Sequence, residues 1–170
     1  NKDTDRRVSL PTRGQALAVL EENITTGNLI KHMLATEAVM RRLARHFGED
    51  EDLWGIIGLL HDVDYDLTKD APEVHAILGS EIVKKKGFPP EVVEGVKNHS
   101  PCLAERDRLI DQALYATDPV TGLIIAGALI KKEKSLFAID VPFLVNRMKE
   151  KGFARGANRE QIRSCEQMGL

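Results

Sequence analysis

Four of the five histidines in this chain, His32, His61, His75 and His99, stand at the edges or ends of apolar stretches, where a side chain turns inward. His61 is followed directly by Asp62, and Asp118 stands just ahead of Pro119. Imidazole and carboxylate are the ligands that Fe, Mn, Co, Ni and Zn accept together. The two cysteines, Cys102 and Cys165, are too far apart in sequence for the thiol cluster of a structural zinc finger. Each residue also has a plainer reading. A single histidine on an apolar face is usually a hydrogen-bonded core residue, and His61–Asp62 at a helix end suits the negative pole of the dipole. Asp118 before Pro119 reads as an N-cap with proline in the first turn. Taken together, the plain readings fail on energy. Burying several imidazoles and carboxylates in one small core costs roughly several kcal/mol for each unpaired charge, and a cation supplies a partner to all of them. The set His32, His61, Asp62, His75, His99 and Asp118 is large enough for two ions, and only His46 falls outside it.

Helices must position these groups, because apolar residues recur at helical spacing and no strand-like alternation is sustained. The first helix is expected over Thr12 to Asn23 and a long second one from Gly27 to Phe47, with Leu29, Met33, Met40, Leu43 and Phe47 on one stripe and His32 at its edge. A third follows the acidic run Glu49 to Asp52 and is apolar all round through Leu60, so it should be central and should deliver His61 and Asp62. Asp64 to Pro72 reads as a polar loop over the site, followed by a helix from Glu73 to Lys86 that carries His75 on a face with Leu78 and Ile82. In a short helix from Glu91, Val92, Val96 and His99 share a face. Another helix runs from Leu109 to Asp118, Pro119 restarts one through Ile130, and Asp140 and Asn158 cap two more.

A chain of 170 residues buries roughly 70% of its unfolded surface, and 42% hydrophobic with 29% charged residues describes a folded domain. The expected organisation is a single domain: an N-terminal flank and first helix over 1–27, a metal-binding core over 28–130, and C-terminal helices over 131–170. A net charge of -2 offers no bulk attraction to nucleic acid or anionic membrane. The longest apolar run, Val120 to Ile130, is far short of the roughly 20 residues a bilayer requires. Asn1 to Arg7 lacks an apolar targeting core and is expected to be a frayed or processed end, and the cysteine usage fits a reducing, cytoplasmic setting.

The ordered pattern His32, His61–Asp62 and Asp118, with Leu59–Leu60 ahead of the pair, resembles the HD-domain superfamily of metal-dependent phosphohydrolases over about Asn28 to Ile130. In that family the H…HD…D ligands hold one metal, and members with two further histidines before the last aspartate hold a second. His75 and His99 match those two positions, and Leu114–Tyr115–Ala116–Thr117–Asp118 is similar to the family's last ligand motif. The resemblance implies an all-α, multi-helix bundle with the metal site in its core. It implies two divalent transition-metal ions (Fe, Mn, Co, Ni or Zn), one held by His32, His61 and Asp118, the other by His75 and His99, with Asp62 shared. Asp62 and His61 become the catalytic pair, and a metal-activated hydroxide would attack a phosphomonoester, phosphodiester or phosphoanhydride of a nucleotide or related small phosphate.

One departure bears on the substrate. Many relatives follow the HD pair with a hydrophobic residue, a small residue and then lysine, whereas this chain continues Val63–Asp64–Tyr65–Asp66. Phosphate contact therefore falls to other cations, with Lys69, Lys97 and Arg155 as candidates. Asp64 and Asp66 have two readings each: orienting a ligand histidine or accepting a proton, or shaping a turn. The same ligand set would also serve a mixed-valent diiron oxygenase or a non-catalytic nucleotide-binding module. Metal content with oxygen consumption separates the first from a hydrolase, and retention of all six ligands weighs against the second.

Overall fold

The computed structural model describes residues 9–170, so the expectation for Asn1 to Arg7 lies outside the described residues. Among them every regular element is helical. Thr12 opens α1 (Arg13–Asn23) with a capping box: its Oγ1 accepts from the Gln15 N–H at 3.2 Å and its own N–H donates to Gln15 Oε1 at 2.8 Å. Helix α2 (Gly27–Phe47) stops at Gly48, whose φ of 72° closes the end with a left-handed residue. Asp50 then caps α3 (Glu51–Leu60), accepting from the N–H groups of Asp52 and Leu53 at 3.0 Å each. From Trp54 to Leu60 every residue of α3 is buried, as its unbroken apolar sequence requires. There follow α4 (Tyr65–Thr68), α5 (Ile77–Lys85), α6 (Pro90–Lys97), α7 (Leu109–Leu129), a 3-10 turn at Leu136–Ala138, α8 (Val141–Met148), α9 (Arg159–Arg163) and a last 3-10 turn at Ser164–Met168.

Two units are present, one ending at Glu105 and the other Arg106–Leu170. In the first, α3 packs against α2, α1 and α6, and α5 packs on α6. Gly58 permits the α2–α3 approach, since a Cβ there would stand 3.0 Å from Met40 Cγ. A buried carboxylate also ties these helices. Glu37 of α2 accepts from Arg13 of α1 at 2.7 and 2.8 Å and from Arg41 at 3.0 Å, and Arg41 reaches on to Asp52 of α3 at 2.8 Å. In the second unit α7 is the central element, packed by α8, α9 and both 3-10 turns, with Leu123, Ala157 and Ile162 at its core.

Three details depart from the sequence reading, each for a physical reason. The helix expected from Glu73 begins only at Ile77, because Ala76 is held at φ 68°, outside the helical region. Its buried residues are consequently Gly79, Ser80 and Val83, while Leu78 is exposed. The loop after the HD pair contains the single helical turn α4. Pro119 does not restart a helix: α7 runs through it without a break, so Asp118 is not an N-cap. Proline deprives the carbonyl four residues back of its usual donor. That carbonyl belongs to Tyr115, and Gln161 Nε2 of α9 donates to it at 2.7 Å. Asp140 and Asn158 do cap α8 and α9, accepting from Phe143 and Gln161 N–H at 2.8 and 3.0 Å.

Candidate metal centre

The end of α3 places His61 and Asp62 in the interior. His61 is wholly buried, and its Nδ1 donates to the Gly58 carbonyl at 2.7 Å, one turn back on its own helix. That bond fixes the tautomer, leaving the Nε2 lone pair to face outward from the ring. His32 of α2 meets it there, Nε2 to Nε2 at 3.2 Å, with the rings edge to face. Asp62 Oδ2 lies 3.4 Å from His61 Nε2 and 3.7 Å from His32 Nε2.

On its other side, Asp62 Oδ1 lies 3.1 Å from His75 Nε2 and 3.0 Å from His99 Nε2. His75 comes from the turn ahead of α5 and His99 from just beyond α6. Asp62 therefore presents one oxygen to each pair of imidazoles. Ligand atoms of His32, His61 and Asp62 lie within 4.8 Å of one another, as do those of Asp62, His75 and His99. These groups fit a cation. Asp62 Oδ1 is buried and takes no hydrogen bond, although two imidazole nitrogens stand close enough to donate. An orphaned buried acceptor is costly unless an ion completes it. Burial works against ionisation of Asp62, but His61, by charge and hydrogen bonding, and the close imidazoles of His75 and His99 outweigh it and hold the carboxyl well below the ordinary range. Burial likewise lowers His75, yet Asp62 and Asp64 raise it to about 9.

The two acids of the following turn divide their roles. Asp64 is wholly buried: Oδ1 lies 2.8 Å from His75 Nδ1, and Oδ2 accepts from the N–H groups of Ala76 and Gly79 at 2.8 Å each. Asp66 instead pins the α1–α2 connection, accepting from Thr25 N–H at 3.0 Å and Thr26 Oγ1 at 3.0 Å. Sequence reasoning left both acids open and missed Thr68, whose Oγ1 lies 3.2 Å from His75 Nδ1. The available signal was spacing, for Asp64 sits two residues past Asp62 on a chain turning tightly at the end of α3.

Four more predicted residues are carried by α4, α6, α7 and a turn of the second unit. Asp118 is on α7 in the second unit, partly buried, with its carbonyl accepting from Thr121 Oγ1 at 3.0 Å. Lys69 is exposed at the end of α4. Lys97, exposed on α6, lines a groove of about 490 Å³ between α5 and α6 with Ile77, Lys84 and Phe88. Arg155 is exposed in a turn of the second unit, between residues that Arg159 holds by donating to the Met148, Ala154 and Ala157 carbonyls. His46 packs its ring against Phe47.

The HD-domain family model matches residues 29–126, more than half of the chain. The chain belongs to the HD-domain family. This HD domain is 28% identical to ribonuclease Y 2 of Pediococcus pentosaceus over 95 residues, which cover 56% of the chain and 18% of that protein. It is 35% identical to ribonuclease Y of Protochlamydia amoebophila over 72 residues, 42% of the chain and 14% of the relative. A tRNA (cytidine(56)-2'-O)-methyltransferase of Picrophilus torridus is 31% identical over 91 residues, 54% of the chain and 26% of the relative. The chain thus spans 26% or less of the length of these three relatives. No solved structure matches it. HD domains bind divalent metals, and the family is one of metal-dependent phosphohydrolases. No helix of the described residues is long and apolar enough to cross a membrane.

Proposed function

We propose that this HD domain hydrolyses a phosphomonoester, phosphodiester or phosphoanhydride bond in a small phosphorylated substrate, a nucleotide or related compound, using two divalent transition-metal ions. His32, His61, Asp62 and Asp118 are the proposed ligands of one ion, and Asp62, His75 and His99 those of the other. The observation that carries the reading is the placement of Asp62, with His75 and His99 against Oδ1 and His32 and His61 against Oδ2. Asp118 rests on the order of the family's ligands along the chain.

A bound pair of divalent ions lowers the pKa of water and polarises phosphoryl oxygens. The chain's own residues prepare the site for that chemistry. The Gly58 carbonyl keeps the proton of His61 on Nδ1, so Nε2 stays available as a ligand. Asp62 stays ionised despite burial and supplies negative charge to both groups of imidazoles. The buried end of α3 keeps water from competing for His61. Lys69 and Lys97 are the proposed phosphate contacts in the first unit and Arg155 in the second, each exposed. Likeness to proteins named ribonuclease Y supports a phosphodiester within the class.

Metal analysis of the purified protein, followed by aryl phosphomonoesters, aryl phosphodiesters, nucleotides and a short RNA under Mn, Fe, Co, Ni and Zn, tests the reading. Phosphate release or ester cleavage with more than one equivalent of metal supports it. Absence of bound metal under every loading condition, or oxygen uptake without any phosphate chemistry, overturns it.

A further inference from the structure

The structure assigns to Asp64, with Thr68, the task of holding the His75 proton on Nδ1 so that Nε2, on the Asp62 side, is the nitrogen that binds a metal; this positioning role rests on the dinuclear reading above. Two acceptors face His75 Nδ1. One is Asp64 Oδ1 at 2.8 Å. The other is Thr68 Oγ1 at 3.2 Å, and its single proton is already given to the Asp64 carbonyl at 3.0 Å, so only its lone pairs face the ring. Both partners therefore accept, so Nδ1 carries a proton whichever state Nε2 is in, and the nitrogen that can give one up to a metal is Nε2. Nε2, 3.1 Å from Asp62 Oδ1, is left able to bind a metal.

The surroundings hold Asp64 rigidly for this purpose. Its Oδ2 takes the N–H groups of Ala76 and Gly79, and the first of these bonds secures the strained positive-φ conformation of Ala76, at φ 68° and ψ -31°. His75 is thus presented from a turn clamped by the carboxylate that also orients its ring, not from a helix face. Gly79 makes room for it: a Cβ there would stand 3.2 Å from Asp64 Cγ and 3.2 Å from Val96 Cγ1. A carboxylate needed only to close the turn would require one oxygen and no neighbour on Nδ1.

Asp64→Asn tests the role, because its amide can keep Oδ1 toward the Ala76 and Gly79 N–H groups while turning a donor toward His75. A donor at that position forces the ring proton to Nε2, which removes the lone pair. Competition titration of Zn(II) against a chromophoric chelator on wild-type and variant chains should show two ions bound by wild type, one of them weakened about 10- to 100-fold in Asp64→Asn and the other unchanged. In a His75→Ala background Asp64→Asn should weaken Zn(II) no further. Long-range 15N–1H correlation spectra of the Zn(II)-loaded wild type should show the His75 proton on Nδ1. Thr68→Val, which leaves both backbone bonds to Asp64 in place, should weaken the same ion by a smaller factor and decides the matter if Asp64→Asn does not fold. Wild-type affinity for both ions in Asp64→Asn, or an equal loss in the His75→Ala background, overturns the positioning role alone. A wild-type chain that binds no ion overturns it together with the dinuclear reading.

Discussion

Asp62 meets two demands at once: it is buried, and it stays charged. Imidazoles on both sides meet that demand. Asp62→Asn keeps the shape and removes the charge, so turnover of an aryl phosphodiester should fall by at least about 100-fold, while far-ultraviolet circular dichroism stays unchanged. His75→Ala with His99→Ala removes one side only. The double variant should bind one ion fewer by elemental analysis and keep the site formed by His32 and His61, whereas retention of wild-type metal content would place the second ion elsewhere. The plain reading of a lone histidine, a satisfied core residue, does not describe His75, whose two ring nitrogens face two different carboxylates, and His46 is exposed with its ring edge-on to Phe47.

Helices and turns set how these residues are presented. The α1–α2 connection is held by Asp66, where hydrogen bonding from the Thr25 N–H lowers the carboxyl below its ordinary value. Because the folded value is depressed, the stabilisation is present above the ordinary aspartate range and is lost as pH falls through the folded value. Asp66→Ala should thus destabilise the chain near neutrality, by less than a buried hydrogen bond would because solvent screens this exposed carboxyl, and the difference from wild type should shrink below about pH 4 in urea titrations. Helix α7 poses the opposite problem, a proline in its interior. Gln161 answers it by donating to the Tyr115 carbonyl, so Gln161→Leu should lower stability by about 1 kcal/mol, the net worth of a partly buried hydrogen bond. Sequence rules for proline point to a helix boundary at residue 118, and they miss because the compensating donor lies far along the chain in α9. Helix boundaries read from caps fared better. Asp140 and Asn158 each accept the N–H expected of a cap, and Thr12 and Asp50, read only as marking helix starts, do the same.

At the scale of the whole chain, metal binding and folding should be linked, since ligands drawn from α2, α3 and the turns before α5 and after α6 come together only in the folded state. Chelation with EDTA should lower the melting temperature: an ion present at 100 times its Kd contributes about 2.7 kcal/mol, which is about 5–10 °C for a chain of this length. An unchanged midpoint would show that the centre is empty in the purified protein. The helical class, the central burial of α3 and the candidate ligands were legible in the sequence, because helical periodicity, capping residues and the His61–Asp62 pair are local patterns that a linear reading preserves. Other features were decided only in three dimensions. Glu37 bridges Arg13 and Arg41 in the interior, Asp64 grips both His75 and the backbone of Ala76, and Gln161 repairs the helix at Pro119. Each is a polar group satisfied by a partner distant in sequence or across a turn of irregular backbone. No periodicity records such a pairing, because hydrogen bonds are matched by position in space and not by spacing along the chain.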